Sequence, residues 1–162
     1  MLSEKQINAI KTIYDRLKSQ DIIWAFTGST NFALQDMDIS PNDIDIQTDA
    51  SGAYKIEELL SEFLTKKVQF SSTQTIRSHF GKLNIIGVKV EIIGDIQKNV
   101  NGKWEETINL CDYISSVDLR AMKLPVITLE YEAEAYEKLQ RFGRAKELRE
   151  FLKMTESNKS KM

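Results

Sequence analysis

Apolar residues recur at helical spacing near the start of the chain, at Ile7, Ile10, Ile13, Tyr14 and Leu17. That period predicts an amphipathic helix over residues 4–19, and Ser3 followed by Gln6 supplies a capping box to start it. The continuous apolar run at 22–26 predicts a buried strand. Thr27-Gly28-Ser29 follows, then a short helix over 30–34 whose N-terminus lies at the Gly-Ser turn. Asp36, Asp38, Ser40 and Pro41 mark residues 35–42 as a loop, and 43–47 read as a second strand. Ile56, Leu59, Leu60, Phe63 and Leu64 predict a helix over 52–64, capped by Asp49 or Ser51. Three strand-like pieces follow, at 67–70, 74–78 and 82–86. Gly87 turns the chain into 88–93, which predicts an antiparallel pair. Asn101-Gly102 is a tight-turn signal between strand-like 96–100 and 104–108. Pro125 breaks the chain before a helical end, either two helices over 130–142 and 144–154 or one helix bent at Gly143. The order predicts an α+β fold, a mixed sheet with helices packed on it and a C-terminal helical segment.

Within this frame two acidic residues stand out. Alternate residues of a strand share a face, so Asp43 and Asp45 point one way while Ile44 and Ile46 point the other. Two carboxylates so close repel each other unless something positive lies between them. Magnesium suits the role, being a hard ion that takes oxygen ligands and keeps substrate phosphates as further ligands. The Gly28-Ser29 turn places backbone and hydroxyl donors beside that site, which suits a phosphate. On a later alternating strand, Val88, Val90 and Ile92 exchange with Lys89, Glu91 and Ile93, giving a third carboxylate.

Gly28-Ser29, then Asp43-Ile44-Asp45-Ile46, then Glu91 resembles the nucleotidyltransferase superfamily, which includes polymerase β and the small antibiotic-modifying adenylyltransferases. Its pattern is Gly-Ser or Gly-Gly, a spacer, Asp-x-Asp and a third carboxylate on a later strand. The resemblance spans roughly residues 20–95 and is looser over the C-terminal third. It implies a polymerase β-like fold and a magnesium-dependent transfer of a nucleoside monophosphate from an NTP, ATP first among them, to a small hydroxyl-bearing acceptor, with release of pyrophosphate. Asp43, Asp45 and Glu91 would bind Mg2+, and Gly28 and Ser29 would hold the β- and γ-phosphates. Glu91 would also serve as general base. Asp95 is the reserve candidate, ranked second because Gly94 favours a turn. The superfamily more often has aspartate where this chain has Glu91. Arg77 and His79 share a strand face and offer a cation to phosphates or acceptor. Lys138 and Arg141 would line the nucleotide pocket, as a C-terminal helix does in related small transferases. An alternative on the same fold is a non-catalytic nucleotide-binding module of the antitoxin type.

Composition narrows the rest. The chain has 162 residues, 41% hydrophobic and 28% charged, which suits one domain, taken as residues 1–156 with a polar, flexible tail at 157–162. Net charge is −2, so no global attraction to long nucleic acid is expected. No apolar run approaches 18 residues, so no membrane span is expected, and the first residues lack a signal pattern. The single cysteine, Cys111, excludes an internal disulfide and a thiolate metal cluster; it has no assigned role, and a cytoplasmic setting follows. Glu132, Glu134, Glu137, Glu147 and Glu150 alternate with Lys138, Arg141, Arg144, Lys146 and Arg149 as a solvated helix face. Leu129, Tyr131, Ala135, Leu139 and Phe142 read as core. No second domain is visible, so the acceptor site uses the back half of this domain or a partner in a homodimer.

Overall fold

Ser3 and Gln6 close the predicted capping box at the head of α1 (Glu4–Leu17). The computed structural model describes residues 1–160. The chain continues through β1 (Trp24–Thr27), α2 (Gly28–Leu34), β2 (Ile44–Thr48), α3 (Ala50–Leu59), β3 (Leu64–Ser72), β4 (Ile76–Ile85), β5 (Val88–Val100) and β6 (Lys103–Trp104). It ends with β7 (Ile114–Leu119), β8 (Met122–Ile127), α4 (Leu129–Lys138) and α5 (Phe142–Ser160). Helix α5 covers residues 157–160 of the expected tail; the last two tail residues lie outside the described residues.

Seven strands form one mixed sheet in the order β3-β4-β5-β2-β1-β8-β7, with β6 paired to the far end of β5. Strands β2 and β5 run parallel, as do β1 and β8; the other pairs in the sheet are antiparallel. Ile10, Ile13 and Leu17 of α1 and Ala53 and Ile56 of α3 pack on Phe26, Ile44, Ile46, Val90, Ile92 and Val126 of the sheet. Fully burying each large aliphatic side chain stabilises the fold by about 1.5–3 kcal/mol. A smaller cluster of Phe32, Met37, Leu129, Ala133 and Leu148 joins α2 to the two C-terminal helices. The α+β class expected from the sequence is the class of this fold.

Several local expectations differ from the structure: the strand-like piece at 104–108 shrinks to the two-residue β6, and the helix expected over 52–64 ends at Leu59. The pieces at 74–78 and 82–86 are one continuous strand, β4. Pro125 does not break the chain: it lies within β8, opposite Ser116 of β7. Strand β8 meets β1 at a single register pair, Phe26 with Val126, a setting that tolerates a residue without an N–H. Gly94 makes no turn. A Cβ there would lie 2.8 Å from both the Asp49 carbonyl oxygen and the Ala53 Cβ, so glycine lets α3 lie against β5. The next residue, Asp95, has φ +48, and the register jumps from His79–Gly94 to Arg77–Gln97. This is a β-bulge, which reverses the alternation of the strand beyond it.

Candidate active site

Register builds the site. Thr27 of β1 faces Asp45 of β2, Asp45 faces Glu91 of β5, Glu91 faces Lys82 of β4, and Lys82 faces Lys66 of β3. Side chains opposite each other in register project from the same face. One row across five strands therefore carries a hydroxyl, two carboxylates and two ammonium groups. Helix α4 lies over this face and leaves a cavity of about 300 Å³, whose acidic end is formed by Asp45, Glu91 and Glu132. Its walls are largely apolar, with Phe80, Ile93 and Leu139 among them. The bulge at Asp95 turns Ile96 and Lys98, rather than Asp95 and Gln97, into this cavity. Asp95 thus stands outside the carboxylate set for which it was held in reserve.

Gly28 adopts φ +67, and a Cβ there would meet the Asp45 Oδ2 at 2.7 Å. Glycine is required twice over, by its left-handed backbone and by the carboxylate seated against it. Asp45 Oδ1 is buried without a hydrogen-bond partner. Burial, then the charges of Glu91 and Asp43, push the Asp45 carboxyl up to about 7. An unpaired, buried oxygen beside a second carboxylate suits a hard divalent cation, and Asp45 and Glu91 are the residues that fit one. Asp43 precedes β2. Its carbonyl accepts from Thr30 Oγ1 at 2.8 Å, and with Glu91 it borders a second recess of about 350 Å³. The three acids border two adjoining spaces rather than converging on one; among the described residues no three acidic, His or Cys side chains are grouped about one point for a metal.

Glu132 was expected on a solvated face and is instead 4% exposed. Its carboxylate accepts from Gly28 N–H at 2.9 Å, Asn31 Nδ2 at 2.9 Å and Thr27 Oγ1 at 3.0 Å. Burial raises its pKa, opposed by those three donors and by the charge of Lys98. Lys98 is itself 3% exposed, with Nζ 3.3 Å from Glu105 and 5.5 Å from the centre of the Tyr131 ring. Neither residue carried a signal in the sequence. The apolar stretch around Glu132 (Leu129, Ala133) was the one hint that its position faces inward.

The remaining expected residues divide. Ser29 sits half-buried in the first turn of α2. Arg141 borders the main cavity. Lys138 is tied to Glu105 at 2.7 Å and Glu134 at 3.4 Å, beside the cavity rather than in it. Arg77 and His79 share a face as expected, but it is the face opposite the cavity, because Ile76, Ser78 and Phe80 take the inner one. The Arg77 guanidinium lies 4.4 Å from the Trp104 ring centre and its Nε donates to Gln97 at 2.9 Å. His79 Nδ1 lies 2.9 Å from the Tyr54 hydroxyl of α3. Ala135 and Leu139 line the cavity rather than the core, Tyr131 both lines it and packs against the Ala25, Leu110 and Ile127 cluster, and Phe142 is exposed.

A mixed sheet with Asp45 and Glu91 on neighbouring parallel strands, beside a Gly-Ser turn that opens a helix, defines a nucleotidyltransferase. The chain belongs to the aminoglycoside-2''-adenylyltransferase family, whose profile matches residues 9–155. It is similar to a Thermotoga maritima protein whose own nucleotidyltransferase assignment is provisional, at 49% identity and TM-score 0.84 over 95% of this chain and 96% of that one. It shares its fold with the lincosamide antibiotic adenylyltransferase LnuA, solved with lincomycin bound, at 18% identity and TM-score 0.50 over 80% and 83% of the two chains. It also shares its fold with ANT(2")-Ia, solved with adenylyl-2"-tobramycin, at 11% identity and TM-score 0.53 over 93% and 98%. A search of curated proteins returns no match. Among the described residues, no helix is long and apolar enough to cross a membrane.

Proposed function

We propose that this nucleotidyltransferase is magnesium-dependent and moves a nucleoside monophosphate from an NTP, ATP first among the candidates, to the hydroxyl of a small acceptor. The observation that carries the reading is the Asp45–Glu91 pair, with Asp45 seated against Gly28 and its Oδ1 left unpaired. Asp45 and Glu91 would hold magnesium, with Asp43 at the edge of the adjoining recess; when bound, the ion would neutralise phosphate charge. The acceptor oxygen bonds to the α-phosphorus, the α–β bridge breaks, and pyrophosphate leaves with its electron pair. Glu91, bordering both recesses, takes the hydroxyl proton. Gly28 and Ser29 hold the triphosphate; because Gly28 N–H already serves Glu132, the direct contact falls mainly to Ser29. Arg141 stands where it can meet the nucleotide. The apolar walls keep water from competing with the acceptor. LnuA with lincomycin and ANT(2")-Ia with adenylyl-tobramycin support a small acceptor. Both recesses are lined by one chain, so the reading needs no second copy. A cytoplasmic setting goes with it.

The test is calorimetric titration with non-hydrolysable ATP and GTP analogues, with and without magnesium, on wild type and on Asp43→Asn/Asp45→Asn. Magnesium-dependent binding that the double variant loses is the expected result, followed by pyrophosphate release in an acceptor screen. A well-folded wild type that binds neither analogue overturns the reading.

A further inference from the structure

Lys66, Lys82 and Lys89 stand on β3, β4 and β5 beside the carboxylates. Lys66 and Lys82 face each other in register, and like charges so placed oppose strand pairing. Both ammonium groups lie near one ring, 5.5 and 5.8 Å from the centre of Phe80. The ring face offsets part of the repulsion but brings no negative charge. Lys82 also faces Glu91 in register. Yet among the described residues none of the three lysines forms an ion pair. Lys82 and Lys89, with Thr65 and Asn84, line the recess of about 350 Å³ that ends at Asp43 and Glu91. Three exposed lysines without an ion pair thus stand on one side of the acidic pair, while Gly28 and Glu132 occupy the other.

We propose that the acceptor is a small polyhydroxylated phosphate monoester, its phosphate held by Lys82 and Lys89 of the recess with Lys66 beside Lys82, and one of its hydroxyls presented to Glu91. A dianionic phosphate answers neighbouring ammonium groups, and Thr65 and Asn84 add neutral polar partners. The recess is of the size that takes a small ligand. A polycation would meet Lys82 and Lys89 in the recess, so this acceptor differs in charge from an aminoglycoside. The inference rests on reading Asp43, Asp45 and Glu91 as the transfer site. In the transfer the phosphate ester stays intact; the hydroxyl oxygen gains the nucleotidyl group and its proton passes to Glu91 as pyrophosphate leaves.

The test follows backbone amide shifts of isotope-labelled protein titrated with glycerol 3-phosphate, ribose 5-phosphate, glycerol, ribose and tobramycin. A non-hydrolysable ATP analogue with magnesium is titrated separately. The phosphate esters should bind and shift amides near Lys82 and Glu91, while their unphosphorylated counterparts should not. Lys66→Gln/Lys82→Gln should weaken ester binding by about tenfold per lysine and leave nucleotide affinity unchanged. Its melting temperature should be no lower than wild type, which separates lost binding from lost folding. Esters that bind no better than glycerol and ribose, or worse than tobramycin, overturn the proposal. So does a variant that loses nucleotide affinity as strongly, since the lysines would then serve the triphosphate. Ester binding without nucleotide binding instead refutes the transferase reading, and the acceptor role with it.

Discussion

The backbone N–H of Gly28 donates to the Glu132 carboxylate at 2.9 Å, joining positions 104 residues apart. Two further donors, Thr27 Oγ1 and Asn31 Nδ2, meet the same carboxylate. The turn that the sequence marks as a phosphate holder is therefore held in shape by a buried acid from α4. The C-terminal helices are joined to the site through this contact.

Removing Glu132 leaves Gly28 N–H and Thr27 Oγ1 without this acceptor and Asn31 Nδ2 with only its bond to the Ile127 carbonyl. Glu132→Ala should destabilise the protein by about 2–4 kcal/mol, and Glu132→Gln, which keeps the shape and one acceptor, by less. Urea unfolding of both variants measures the difference. Equal stability of Glu132→Ala and wild type would show that these bonds do not hold the turn.

Asp45 gives a pH dependence with a definite sign. Its folded-state pKa is raised to about 7 from the ordinary 3.8. Below about pH 4 the group is protonated in folded and unfolded chains alike. Between there and pH 7 the folded state holds the proton more tightly, so stability falls as pH rises and levels off above 7. In EDTA, melting temperature should decline across that window. Asp45→Asn should flatten the decline and melt higher than wild type at pH 8 while losing nucleotide transfer. Added magnesium should raise the wild-type melting temperature at pH 8 and leave the variant unmoved.

Gly28→Ala tests the seat of Asp45. The left-handed backbone alone costs a residue with a Cβ roughly 1–2 kcal/mol, and the new methyl must displace the carboxylate oxygen 2.7 Å away. Lower stability in denaturant, together with nucleotide affinity reduced by about tenfold or more, is the expected pair of results. An alanine variant with wild-type affinity would mean that the position of Asp45 does not govern binding.

Arg141 and Arg77 were alike as candidates and are now distinguishable. Arg141→Ala removes a cation from the cavity rim and should weaken nucleotide binding by about tenfold. Arg77→Ala removes the stack on Trp104 and the bond to Gln97. It should cost about 0.5–1 kcal/mol of stability with affinity unchanged. Calorimetry on both variants decides. The reverse pattern would place the nucleotide on the outer face of β4.

Patterns set by neighbours along the chain were legible in the amino-acid order. The capped first helix, the Gly28–Ser29 turn, and the inward alternation of Glu91 and Ile93 each depend on residues within a few positions of one another, where backbone geometry dictates the direction of side chains. The α+β class followed from that spacing, and Gly28-Ser29, Asp43, Asp45 and Glu91 carried the resemblance to the nucleotidyltransferase superfamily. Tertiary structure decided whatever depended on a break in alternation or on a distant partner. The bulge at Asp95 reverses the strand's faces, so Lys98 enters the cavity and Asp95 leaves it; no local period announces one extra residue in a ladder. Arg77 lost the inner face to Ile76 and Ser78 because register across the bulge pairs Ile76 with the inward Lys98 and Arg77 with the outward Gln97. Glu132 looks like any charged helix residue until α4 docks on the sheet and three donors surround it. The row from Thr27 through Asp45, Glu91 and Lys82 to Lys66 exists only once five strands take their order, because hydrogen-bond register between strands, not distance along the chain, brings those charges side by side.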